Sequence, residues 1–133
     1  MNQRIHVKSG SPFEDLIGFS RAVRVGNHIA VSGTAPIGID GQTHAPGNLY
    51  EQTKRCLEII QSSIEDAGGS IQNVIRTRVY LTDAAKWEDA AHAHLEFFQE
   101  IRPASTFVEV SGFLNKDWLV EIEADCVLEE DGN

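Results

Sequence analysis

Apolar residues recur along this chain at two spacings, and each predicts a different element. Leu49, Thr53, Cys56, Leu57, Ile60 and Ile64 fall three and four positions apart, which lays one apolar stripe along a helix beginning near Asn48. Ala67-Gly68-Gly69 stops it, with glycine suited to the left-handed conformation that closes a helix. A second helix is predicted from about Ala84 to Glu100, capped by Thr82-Asp83, with Trp87, Ala91, His94, Leu95 and Phe98 as its buried stripe. Pro103 ends that segment by removing an amide donor and restricting Arg102.

Elsewhere the period is two. Residues 3–7 form a short first strand, and Ser9-Gly10-Ser11-Pro12 reads as a turn. Ser20 to Val25 and His28 to Gly33, joined by Gly26-Asn27, predict a β-hairpin. Ile37 to Gly47 has no periodicity and reads as a loop. From Val74 to Leu81, residues Ile75, Thr77, Val79 and Leu81 share one face, while Arg76, Arg78 and Tyr80 take the other. Two closing strands, Arg102 to Val110 and the run from Leu119, flank a connection from Gly112 to Asp117. In the last strand Val120, Ile122, Ala124, Cys126 and Leu128 alternate with Glu121, Glu123 and Asp125. The acidic tail from Glu129 to Asn133 is expected to fray.

Strands clustered around two long helices predict an α+β fold, a two-layer sandwich of a mixed β-sheet with two helices packed on one face. The helix-free face then carries Arg76, Arg78 and Tyr80 beside Glu121, Glu123 and Asp125. Such a half-apolar, charged face suits contact with other subunits as well as with water. Two readings of the carboxylate row stand side by side. It is the wet side of a sheet, or it lines a polar site facing a neighbouring strand that offers Ser105, Phe107, Glu109 and Ser111.

At 133 residues the chain fits one domain, 1–133, able to bury about two-thirds of its unfolded surface. Its net charge of -9 argues against nucleic acid or an anionic membrane as partner, since both call for positive charge. No apolar run reaches the roughly 18 residues of a spanning helix, and the N-terminus lacks a charged-then-apolar signal pattern, so a cytoplasmic protein is expected. Cys56 and Cys126 have no Cys or His at metal-ligand spacing and read as free buried thiols.

No GxGxxG, Walker loop, CxxC or HExxH occurs. His92 and His94 are two residues apart on a helix, point to different faces and cannot chelate one metal together. His28 and His44 lie in or beside loops, and no serine is marked as a nucleophile by a histidine base. The carboxylate row is the catalytic lead that residues alone provide. A desolvated glutamate there has its pKa raised and can hold or relay a proton, whereas a nearby arginine keeps it ionised.

Taken together, Arg24-Val25-Gly26-Asn27 with Ala30-Val31-Ser32-Gly33, Asn48 through Glu65-Asp66-Ala67-Gly68, and Val79-Tyr80-Leu81-Thr82-Asp83 carry a family pattern. Phe97-Phe98, Arg102-Pro103-Ala104-Ser105-Thr106 and Val120-Glu121-Ile122-Glu123-Ala124 complete it. In order and spacing these pieces resemble the Rid family (reactive intermediate deaminases, also called the YjgF family) over nearly the whole chain. The resemblance implies a chorismate-mutase-like fold and a homotrimer whose sheets form a central barrel, with small-metabolite pockets in the clefts between subunits. It implies hydrolysis of enamine or imine intermediates to a keto acid and ammonia, without a metal or organic cofactor.

In the family sequence Pro-Ala-Arg-Ser, the arginine holds the substrate carboxylate by a bidentate pair. Here Ser105 stands at that position, and a neutral hydroxyl in place of a cationic fork forfeits roughly 1.5–3 kcal/mol of charge-assisted contact. The family's pocket tyrosine is also missing, with Phe19-Ser20 in its region. Ser32 matches the strand end that lines the pocket, Glu121 the water-activating or proton-handling glutamate, and Phe107 a position where smaller residues are frequent. The resemblance therefore implies Glu121 as catalytic residue and Ser20, Ser32, Ser105 and Phe107 as substrate-binding residues. The substrate is then neutral or carries its anionic group elsewhere, unless Arg102 substitutes. The alternative is a non-catalytic trimer that binds a metabolite in the same cleft. Ribonuclease activity, a name also attached to the family, is opposed by the charge.

Overall fold

The structure is a computed structural model, which describes residues 4–129. The expected strand residue Gln3 and the tail beyond Glu129 lie outside the described residues. Six strands form one sheet: β1 (Arg4–Val7), β2 (Ala22–Val25), β3 (His28–Thr34), β4 (Val74–Leu81), β5 (Ala104–Glu109) and β6 (Val120–Val127). Their spatial order is β1-β2-β3-β6-β4-β5. All neighbours are antiparallel except β4 and β5, so the sheet is mixed. A parallel pair requires a crossover, which α3 (Trp87–Phe98) supplies. The long helix α2 (Leu49–Asp66) lies against β3, β6 and α3. This is the α+β sandwich that the periodicities predict.

Helix α2 matches its sequence reading closely. Asn48 caps it, accepting from the Glu51 amide at 3.0 Å, and Cys56, Leu57, Ile60 and Ile64 are fully buried against the sheet. Just beyond its end Gly68 takes φ +90°, and Arg24 Nη1 donates to the Ala67 carbonyl at 2.9 Å. The hairpin and the alternating burial of β6 also follow the predicted register.

Four expectations are corrected. The Ser9–Pro12 turn leads directly into a short helix, α1 (Pro12–Ile17), because Ser11 accepts from the Phe13 amide and Pro12 starts the first turn. Ile75 does not share the buried face. The β4–β6 pairing shifts register between Val74 and Arg76, so Val74 turns inward and Ile75 is half exposed. The inner face of α3 is Ala90, Ala93 and Phe98, while Trp87 and Leu95 are half exposed. Two alanines let α3 approach α2 closely, whereas the largest apolar side chains would have held it off. Finally, β5 does not neighbour β6, since β4 lies between them. The carboxylate row therefore faces Tyr80, Arg78 and Arg76, not Ser105 and Phe107.

Candidate functional site

On the helix-free face of β6 the three carboxylates have different surroundings. Glu123 accepts from the Tyr80 hydroxyl at 2.6 Å, and Asp125 from Arg78 at 3.2 Å. Among the described residues Glu121 has no such partner. It sits where β3 changes register between Val31 and Thr34, and Gly33 makes room for it: a methyl there would come within 2.8 Å of Glu121 Oε1. Burial raises the Glu121 carboxyl above its ordinary range, with Arg21 pulling it back and the Glu123 charge adding to the rise.

Glu121 lines a cleft of about 1050 Å³ at the end of the sheet, together with Phe19, Arg21, Ser32, Gly33 and Trp118. Three cations line this cleft, Lys8, Arg21 and Arg55, and of these Arg21 is the buried one, only 9% exposed. Its Nη1 donates to the Gly33 carbonyl at 2.9 Å and to Thr34 Oγ1 at 2.7 Å, and its guanidinium lies 5.7 Å from the Phe19 ring centroid. Burial lowers the Arg21 pKa, which Glu121 partly restores. A half-buried carboxyl and a buried guanidinium thus share one cavity without forming a close ion pair. That leaves the carboxyl able to exchange a proton and the guanidinium able to face an anion.

The predicted site residues divide between two places. Ser32 is in the Glu121 cleft, but its hydroxyl donates to the Ser20 and Arg21 carbonyls at 3.0 and 3.1 Å, so it offers a ligand lone pairs only. Ser20 does not line that cleft, and its hydroxyl lies 3.0 Å from His6 Nδ1. Ser105 and Phe107 pair with Thr77 and Val79, which puts them on the helix side of edge strand β5. They line a second, open cleft of about 400 Å³ with Leu95, His94, Pro103 and Arg102. At its floor Thr77 Oγ1 donates to Ser105 Oγ at 2.7 Å and lies 2.8 Å from His94 Nε2. Arg102 holds φ +52° and turns its Nε to the Gln99 carbonyl.

Arg21 and the His94–Thr77 pair are absent from the sequence reading. Nothing in the local pattern marks Arg21, because an arginine at a hairpin strand ordinarily points to water. Thr77 did carry a signal: a lone hydroxyl on a face of Val79 and Leu81 must find a partner once buried.

Residues 11–128 match the family described as Endoribonuclease L-PSP. The chain belongs to this family. A RutC family protein of Pyrococcus abyssi is 41% identical over 106 residues, which is 80% of this chain and 83% of that protein. The 3-aminoacrylate deaminase RutC of Acinetobacter baylyi is 31% identical over 122 residues, 92% of this chain and 95% of that protein. Rv2704 of Mycobacterium tuberculosis, a member of the YjgF/YER057c/UK114 family, has a solved structure with a TM-score of 0.86 at 37% identity, covering 95% of this chain and 100% of that one. The Rid/YjgF resemblance and these relatives agree. No helix among the described residues is long and apolar enough to cross a membrane.

Proposed function

We propose that this Rid/YjgF protein is a cofactor-independent hydrolase of small enamines or imines, working as a homotrimer with its pocket between subunits. Glu121 carries this reading: a carboxyl raised by burial, without the partners that tie up Glu123 and Asp125, in the same cleft as a buried arginine. The protonated carboxyl gives its proton to the enamine carbon and forms the iminium. The carboxylate then takes a proton from water as its oxygen bonds to the iminium carbon. Collapse of the carbinolamine breaks the C–N bond and releases ammonia, leaving the carbonyl product. Arg21 faces the anionic group of the substrate, a role that the serine at position 105 does not fill. Similarity to a protein named 3-aminoacrylate deaminase supports the reaction class.

The inter-subunit pocket draws support from the split site. Within one chain Ser105 and Phe107 are on the helix side of β5, whereas Glu121 is on the opposite face of β6. A neighbouring subunit is the way to bring the two sets together.

The test generates imines with an amino-acid oxidase across a panel of amino acids and traps the escaping fraction with semicarbazide. Wild type should lower the trapped fraction, and Glu121→Ala should not. Activity confined to Ser105→Arg, with wild type inert, would overturn turnover in favour of the non-catalytic binding trimer.

A further inference from the structure

Among the described residues, one buried side-chain polar atom has no hydrogen-bond partner: Nε1 of Trp118, a residue only 8% exposed just ahead of β6. An indole nitrogen can only donate, and its N–H direction is set by the ring, with no rotor or tautomer to choose. Buried donors are almost always paired, so this one calls for an acceptor from outside the chain. The backbone around it is clamped. Fully buried Gln52 accepts from the Leu119 amide at 2.9 Å and donates to the Asp117 carbonyl at 3.1 Å, while the Trp118 amide donates to the Asn115 carbonyl at 3.2 Å. Leu119 packs against the main core, whereas Trp118 stands outside that cluster and lines the Glu121 cleft. With the backbone held, the side-chain torsions of Trp118 are the way to bring its N–H from the wall into the cleft. Arg21, the buried cation, lines the same cleft, and Ser32 there spends its proton on backbone carbonyls. A carboxylate has two oxygens, one for a guanidinium and one for an indole N–H.

We propose that Trp118 is a substrate-binding residue of the Glu121 cleft, whose indole turns on ligand entry and donates Nε1–H to a carboxylate oxygen of a small keto, enamine or imino acid. In the ligand-free chain the N–H is enclosed and unpaired; in the liganded one it is paired. The inference rests on the proposed function only in taking this cleft as the substrate site, and it is tested by binding, apart from turnover.

The chain has two tryptophans, and Trp87 is half exposed on α3, so Trp87→Phe leaves Trp118 as the single indole. The probes are pyruvate, the smallest keto acid, and acetone, which lacks its carboxylate. In NMR titration of the full-length protein the indole N–H signal should move downfield as pyruvate binds and stay in place with acetone. Glu121→Gln should keep that movement; its loss there would make Glu121 the acceptor and overturn the proposal. Replacing Trp118 in the single-indole protein by benzothienylalanine keeps the bicyclic shape and puts sulfur where the N–H was. The replacement should weaken pyruvate about 10-fold or more, the scale of one hydrogen bond to a charged group. It should not lower the melting temperature of the ligand-free protein, since no bond is lost. A lowered melting temperature, or an indole signal already downfield and unmoved by pyruvate, would assign the N–H to an acceptor on another subunit. Either result overturns the proposal, as does pyruvate that fails to bind or binds equally well to the sulfur form. Pyruvate bound through Trp118 without imine hydrolysis would sink the enzyme and leave this site standing, whereas hydrolysis with an unmoved indole would do the reverse.

Discussion

Glu121 is held at a cost, and that cost is measurable. Its carboxyl is raised from the ordinary 4.5, chiefly by burial, so the folded protein binds a proton there more tightly than the unfolded chain. The favourable contribution is complete below about 4.5 and disappears as the pH rises through the higher folded value. Glu121→Gln removes the charge while keeping the shape. The variant should therefore melt above wild type at pH 7 to 8, and the difference should shrink as the pH falls through the raised folded value and be gone by about 4.5, with both proteins compared at one concentration. A wild type as stable as the variant at neutral pH would mean that Arg21 outweighs burial and that Glu121 is an ordinary ionised carboxylate. In the sequence, Glu121 was visible because strict alternation with Val120 and Ile122 excludes it from the core. Arg21 was not, because its meaning depends on a register change in β3 that places the Gly33 and Thr34 oxygens beside it. Ser105 was visible as a departure from a family motif, yet its partners came from β4 and α3, far apart in the chain.

At the scale of elements, periodic stretches were legible and irregular ones were not. The α2 stripe and the β6 alternation each repeat enough times to fix both type and face. Helix α1 has six residues, too few for a period, and its start reads equally well as a turn. On α3, Trp87 and Leu95 are half exposed while two of the three buried residues are alanines, which reverses the usual inference. The junction between α2 and the rest of the fold yields a direct prediction. Gly68 has φ +90°, and an added Cβ would come within 2.6 Å of Arg24 Nη1, the group that caps the Ala67 carbonyl. Gly68→Ala thus meets backbone strain and displaces the cap together, and should lower stability by about 1–3 kcal/mol in denaturant titration. Gly18→Ala, also at positive φ but with open space around it, isolates the backbone part and should cost less. Equal losses at the two positions would remove Arg24 from the account.

For the whole molecule, the question is whether the two clefts form one site. The exposed edge of β5 and the charged, helix-free sheet face are the surfaces that assembly would cover, and sheet order separates Ser105 from Glu121 within a chain. In the proposed homotrimer, a closed ring with heterologous contacts would pair the β5 cleft of each subunit with the Glu121 cleft of the next. Suppose Glu121→Gln and Ser105→Trp are each inactive, the first without its proton carrier and the second with its cleft filled. Unfolding and refolding them as a 1:1 mixture distributes both subunits at random. A pocket then works only where an intact Glu121 meets an intact Ser105, which happens at about one interface in four. Recovery of roughly a quarter of wild-type hydrolysis, absent when the two are mixed without refolding, is the expected outcome. If the clefts acted within single chains, every subunit would keep its own defect and no mixture would recover. Sedimentation of the refolded mixture at three times the subunit mass would tie the recovery to a trimer, and a stable monomer would remove the shared pocket altogether.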